Sequence, residues 1–324
     1  MKPLRRSLWS VTIAAVSVAA WCDRSAVASY IVAWGRNDTN QCSVPAGGDF
    51  VDVAGLWDRG MALKSDGTLV NWGRQLVSPS HVPQPSGTFS DIDALNDHIV
   101  AIKPDGSLVD WGYNYFGTCN NTPPGTNYAS ISAGGWHSLA LRSDGSIAAW
   151  GRNDAYQCNV PMHLPPNGFA AVAAGGEFSV ALLLGGSVAA WGRDANSQVS
   201  NAPVGNNFAA VAAGWDHALA LKKDGSLVSW GRDDYGQVTS TPTGSNFVAI
   251  ACGYDHSVAL RSDGTLAAWG FNAFNQRNVP TGNQFTAMEA TAYGGLALTP
   301  VPEPATVALL GLCGLLLRRR RSPR

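Results

Sequence analysis

Apolar residues come in short runs broken by Gly, Asp, Asn and Pro, and the runs recur along the chain. Residues 208–231, FAAVAAGWDHALALKKDGSLVSWG, hold the whole pattern. Phe208 to Ala213 reads as a strand of small apolar residues ending at Gly214. Ala218 to Leu221 reads as a second strand, and Asp224-Gly225 is a hairpin turn signal. Ser226 to Trp230 reads as the third. A loop rich in Gly, Asp and Asn follows, with room for a short fourth strand. The same unit recurs at residues 128–151, 169–192 and 247–270, and in more divergent form at 50–73 and 89–112. The turn recurs as Asp66-Gly67, Asp105-Gly106, Asp144-Gly145 and Asp263-Gly264, with Gly185-Gly186 as a variant.

Trp-Gly pairs mark the period. They begin at Trp34, Trp72, Trp111, Trp150, Trp191, Trp230 and Trp269, spaced by 38, 39, 39, 41, 39 and 39 residues. A repeated antiparallel sheet of three or four strands at this spacing predicts a β-propeller blade. The first Trp-Gly lacks the two preceding strands, whereas residues 285–299 have those strands and no Trp-Gly. Tyr30 to Gly35 therefore completes the sheet begun by residues 285–299. The expectation is an all-β, seven-bladed β-propeller with blades of about 39 residues, its last blade closed by the N-terminal strand. Such a ring leaves no unpaired sheet edge between its ends.

The recurring Gly-x-x-His, Ala-Leu, Asp-Gly-Ser-Leu and Trp-Gly elements resemble the regulator of chromosome condensation repeat family over nearly all of residues 30–299. The resemblance implies a seven-bladed propeller, with blades closer in length to those of the bacterial β-lactamase-inhibiting propeller than to those of the eukaryotic prototype. It does not carry over the prototype's nucleotide-exchange activity, because function resides in sites and not in folds.

Both ends read as processing segments. Residues 1–28 combine Lys2, Arg5 and Arg6 with an apolar run from Leu8 to Ala20 and the small residues of Ala26-Val27-Ala28. This is a secretory signal, with signal peptidase expected to cut before Ser29. Residues 301–324 carry Pro302-Glu303-Pro304, an apolar run over 305–317, then Arg318, Arg319, Arg320 and Arg321. The apolar run is short for a membrane span, which needs about 20 residues, and the arginines should stay cytoplasmic. Triplet, short span and Arg cluster together resemble the PEP-CTERM sorting tail of envelope-bearing bacteria. That resemblance implies transient membrane insertion and cutting by a membrane-embedded exosortase-type enzyme; the alternative is a permanent single-pass anchor. The expected location is the bacterial cell surface or extracellular matrix.

Composition adds two exclusions. With three Glu and five Lys, the 324-residue chain lacks the residues that usually cover solvent-facing helices. Residues 29–300 hold 13 Lys and Arg against 21 Asp and Glu, a net charge of −8. An acidic body is unsuited to phosphate-rich partners, so nucleic acid is not expected.

Most chemistry-bearing residues follow the blade period. The Trp of each Trp-Gly reads as core packing. His98, His137, His217 and His256 each lie 13 residues before such a Trp. Arg59, Phe178 and Gly294 replace them elsewhere, so hydrogen bonding within the blades suits them better than a metal. Cys42, Cys119 and Cys158 share a position with Val199 and Val238 and read as small apolar sites; symmetry-equivalent positions in separate blades are too far apart to pair. No nucleophile constellation or phosphate-binding Gly loop is present. No cofactor, metal or catalytic residue is assigned.

Strand order puts the loops before the histidine position on one face and the Asp-Gly hairpins on the other. The first set carries Trp57, Asp58, Asp97, Trp136, Glu177, Trp215, Asp216, Tyr254, Asp255 and Tyr293. Aromatics that vary between blades suit recognition, since Trp, Tyr and Arg are enriched in binding hot spots. The expected function is a noncatalytic binding or scaffold propeller that recognises a surface protein or polysaccharide. An envelope-polymer lyase is the alternative, and it would show nonrepeating polar residues clustered at one spot. A nucleotide-exchange role conflicts with export.

Overall fold

Each repeat folds as an antiparallel meander whose strand limits follow its apolar runs. In the computed structural model, which describes residues 29–74, 81–114, 116–162, 164–282 and 284–300, residues 208–231 form strands Phe208–Ala213, His217–Lys222 and Leu227–Gly231. Seven such sheets form, and all the regular structure among the described residues is β. Blades 1 to 6 are taken as residues 50–73, 91–113, 128–151, 169–192, 208–231 and 247–270. Blade 7 is shared: Ser29–Gly35 pairs antiparallel with Gly294–Pro300, which pairs in turn with Ala287–Thr291. The expected closure is therefore the observed one. The innermost strands of successive blades touch, and that of blade 7 touches that of blade 1, completing the ring.

Among the described residues a fourth strand forms in one blade. His81–Val82 pairs with Tyr113 and Gly112 on the outer edge of blade 2. Elsewhere the loop after Trp-Gly is consumed by a side-chain cap: Asn37, Asn114, Asn153, Asp194, Asp233 and Asn272 each accept the backbone N–H five residues on. Such side chains offer the backbone an alternative to a sheet ladder.

The Asp-Gly hairpins use a related device. In the Asp224-Gly225 turn, Gly225 N–H donates to Lys222 O and Lys222 N–H to Ser226 O. Only the glycine takes a positive φ, 81°, while Asp224 Oδ1 accepts from Ser226 N–H at 2.9 Å and from its hydroxyl at 2.7 Å. This is a three-residue hairpin of the kind that ends in a left-handed glycine. A Cβ on Gly225 would lie 2.5 Å from Ser245 O, whereas one on Gly185 would meet nothing within 4 Å. Gly225→Ala is therefore expected to destabilise by about 1–3 kcal/mol, with Gly185→Ala near neutral; urea unfolding of both variants checks it.

Blades are tied together by buried polar pairs set in an apolar core. Each Trp of a Trp-Gly pair is at most 7% exposed. Five donate their indole N–H to a loop carbonyl of the preceding blade, namely Gln41, Gln157, Gln198, Gln237 or Gln276. His98, His137 and His217 bond through Nε2 to Ser138, Ser179 and Ser257 of the next blade at 2.9–3.0 Å, and His256 bonds to Gly294 O at 2.8 Å. Where Phe178 replaces the histidine, the next blade has Ala218 in place of the serine, so an apolar pair replaces a polar one. The blade-histidine reading thus has a geometric basis.

Candidate functional site

The inner strands line an axial channel, in which Asp52, Asp93, Ser132, Cys252 and Glu289 bound a cavity of about 70 Å³. Desolvation pushes Asp52 and Glu289 well above the usual carboxylate range, aided by the charges of Asp91 and Asp93. Burial raises Asp93 to about 6, against hydrogen bonds from the N–H groups of Ala133 and Ala94 and from Ser132. No group of three or more His, Cys, Asp or Glu able to hold a metal ion occurs among the described residues.

One mouth of this channel is closed by the loops singled out in the sequence. Their backbones form a relay: Trp57 N–H donates to Asn96 O, Gly176 N–H to Trp215 O, Trp215 N–H to Tyr254 O, and Tyr254 N–H to Ala292 O. In blade 2 the relay runs through a side chain, because Asn96 has a φ of 59° and its amide donates to Gly135 O. All five candidate aromatics then converge. Trp215 stacks on Tyr254 at 4.2 Å and meets Trp136 edge-on at 4.9 Å. Trp57 meets Tyr254 and Tyr293 edge-on at 5.2 and 5.4 Å. Phe116 extends the cluster at Trp136, and Phe274 extends it at Tyr293. Four of the five stay half-buried; Tyr254 is 8% exposed.

The five carboxylates surround this cluster, and four of them are paired with arginines. Arg74 pairs with Asp58, Arg59 with Asp97, Arg232 with Asp255, and both Arg152 and Arg193 with Glu177. Asp216 accepts instead from Gln198 Nε2 at 3.0 Å. Arg152 also lies over Phe116 and Trp136, and Arg36 over Phe274 and Tyr293, at 4.7–5.5 Å. Cation–π geometry of this kind contributes about 0.5–2 kcal/mol per pair. The acidic ring read from the sequence is thus an alternation of charges around an aromatic centre.

Two participants escape a reading of the loops alone. The buried glutamines orient this face: Gln198 and Gln237 hold Asp216 and Asp255 through their amides while their carbonyls anchor the next blade's Trp. Their signal is a Gln seven residues after the Trp in five repeats. The second is the divergence of blades 1 and 2, which gathers nonrepeating polar residues at one spot. Arg59 takes the histidine slot of blade 1, and Asp58, Asp97, Arg74 and His81 interact electrostatically around it. Burial pushes the Asp97 carboxyl above its usual range, against the pull of Arg59.

The signal segment, the Pro302-Glu303-Pro304 triplet and Arg318 to Arg321 lie outside the described residues. Comparison with known families covers the C-terminal part of that gap. The PEP-CTERM protein-sorting motif matches residues 300–321, which indicates export with cell-surface sorting in bacteria and an exosortase-type sorting enzyme as partner. The regulator of chromosome condensation repeat matches residues 128–157, 208–237 and 247–276, within blades 3, 5 and 6 and their following loops. No curated protein matches the chain. Among solved structures, Prp20p of Saccharomyces cerevisiae is 16% identical, with 88% of this chain and 94% of that one covered at a TM-score of 0.67. Human WBSCR16 is 13% identical over 85% and 100%, at 0.68. The ectodomain of the Physcomitrella patens receptor kinase CR4 is 23% identical over 74% and 67%, at 0.62. At these identities the likeness is one of fold. The chain carries regulator of chromosome condensation repeats folded as a β-propeller, and it ends in a PEP-CTERM sorting motif.

Proposed function

We propose that this is an exported, surface-sorted, noncatalytic propeller that holds a surface protein or polysaccharide on its aromatic face. The observation carrying this reading is the convergence of Trp57, Trp136, Trp215, Tyr254 and Tyr293 over one channel mouth, held in place by one another and by the backbone relay. Aromatic side chains fixed before binding lose little entropy on contact, which favours affinity. Capture of native envelope material tests it. Trp136→Ala with Trp215→Ala is expected to lose capture while the far-ultraviolet spectrum is kept; Asp105→Asn with Asp144→Asn, in hairpins on the opposite face, is expected to keep it. Capture that survives the Trp double variant refutes this face.

The cluster of Asp58, Arg59, His81 and Asp97 favours a second reading, an envelope-polymer lyase. Release of unsaturated ends from envelope polysaccharide, read by ultraviolet absorbance, would establish it. Sorting has its own test. The Pro302-Glu303-Pro304 tail is expected to be absent from mature surface protein, and neutral replacements at Arg318 to Arg321 to impair its removal. Intact-mass measurement decides, since a mass retaining the arginines indicates a permanent anchor.

A further inference from the structure

Three departures from the repeat coincide in one place. Blade 1 replaces its histidine with Arg59, blade 2 places Asn96 at a φ of 59°, and blade 2, alone among the described residues, adds a fourth strand at His81. Between these blades the aromatic face opens into a notch of about 380 Å³, bounded by Trp57, Trp136, Tyr113, Asn96, Asp97 and the Asp58–Arg74 pair. That volume lies in the range of small-ligand sites, about 300–1,000 Å³.

The polar groups here are incompletely bonded. Asp58 is 5% exposed, and its Oδ1 has no hydrogen-bond partner among the described residues. The same holds for Asp97 Oδ1, whose ion partner Arg59 Nη2 lies 3.7 Å away behind the notch lining. A buried polar group left unbonded costs about 1–3 kcal/mol. Asp58 and Asp97, two lining carboxylates that each keep an unbonded oxygen, offer acceptors that ligand hydroxyls can complete.

Resting on the aromatic-face reading above, we infer that this notch is a subsite for a neutral pyranose of an envelope glycan. Charge is the first reason. Asp58 faces Arg74 at 3.2 Å and Asp97 faces Arg59 at 3.7 Å, so two opposite pairs leave no net charge for an ionic ligand to answer. Shape is the second. Trp57 and Trp136 offer aromatic surface, each already held by edge contacts to other rings. A pyranose presents a C–H face to such a ring and hydroxyls, each both donor and acceptor, around its rim. Those hydroxyls can accept from arginine and donate to Asp58 and Asp97. A lysine-rich peptide would meet Arg74 and Arg59, and a polyuronate would meet Asp58 and Asp97.

The test is titration of residues 29–300 with gluco-, manno-, xylo- and N-acetylglucosamine hexasaccharides. A lysine-rich peptide and a polyuronate serve as comparisons, and binding is read by calorimetry and Trp emission. At least one neutral hexasaccharide is expected to bind and to perturb Trp emission. Asp97→Asn and Trp57→Ala are each expected to weaken it by about 30-fold, the loss typical of a hot-spot residue, with the far-ultraviolet spectrum of the parent kept. The inference is overturned if no neutral hexasaccharide binds, if both variants bind as well as the parent, or if only the peptide or the polyuronate binds. Capture of envelope material that depends on Trp136 and Trp215 but not on Asp97 or Trp57 removes the notch and leaves the face standing.

Discussion

Deleting residues 29–40 is expected to abolish cooperative unfolding, whereas ending the chain at Thr299 is expected to leave it nearly unchanged. Ser29–Gly35 is the outer strand of blade 7, in register with Gly294–Pro300 over seven residue pairs. It buries Ile31 and Trp34 to 6% and 7% exposure, and the Trp34 indole donates to Gln276 O at 2.9 Å, tying blade 7 to blade 6. Truncating a core Trp to Ala costs about 3–5 kcal/mol, and a core Ile about 2–5. Those two losses alone approach the whole stability of a typical domain, about 5–15 kcal/mol. The deletion also strips Gly294–Pro300 of its outer ladder partner and opens an edge to other chains. Ending at Thr299 removes one ladder pair, Ser29 with Pro300. Urea unfolding followed by Trp emission compares the two. Equal midpoints would contradict closure by the N-terminal strand.

The blade was legible because each of its signals is local. The run Phe208 to Ala213 and the Asp224-Gly225 turn set the strand limits to within a residue, and Ser226 drops out of the third strand because its N–H and hydroxyl are donated to Asp224. Closure was legible from counting, since a repeat missing its start and another missing its end must share a sheet. What escaped was radial. Sequence spacing says which blade a side chain belongs to, but not how far toward the axis it reaches. Trp57, Trp215 and Tyr254 lie two residues before the histidine position, Trp136 and Tyr293 one before, yet all five meet. The carboxylates were legible on one face, but their arginine partners come from the loops after Trp-Gly of the same or the preceding blade, or from a strand in the case of Arg59, and only folding brings Arg152 and Arg193 onto Glu177. The notch needed both kinds of information. Asn96 departs from the repeat in sequence, and its juxtaposition with Asp58 and Trp57 depends on blades 1 and 2 being neighbours.

Acidification is expected to set two groups of buried residues against each other, and substitution in one group unmasks the other. Burial lowers His98 and His256 to about 4, and His137 and His217 to about 3. A histidine lowered in the folded state leaves stability intact above its ordinary value, near 6.5. Stability then falls as pH drops through that value toward the folded one, by about 1.4 kcal/mol per pH unit for each histidine. The carboxylates act oppositely. Burial raises Asp110 to about 7 and Asp93 to about 6, and raises Asp52 and Glu289 as well. A carboxyl raised in the folded state gains stability as pH falls, until the unfolded chain is protonated too, near 4. Between pH 6.5 and 4 the two groups therefore offset, and the parent protein should keep a shallow stability profile. Replacing His217 and Ser257 with the apolar pair that nature places at Phe178 and Ala218 removes one histidine without orphaning its partner. His217→Phe with Ser257→Ala is expected to gain about 3 kcal/mol over the parent between pH 6.5 and pH 4. Glu289→Gln is expected to stabilise at pH 7 and to lose that advantage by pH 4, because the parent's carboxyl is then neutral as well. Urea midpoints for the three proteins at pH 7, 5.5 and 4 decide the matter. Parallel profiles would mean that neither the histidines nor the channel carboxylate are coupled to folding.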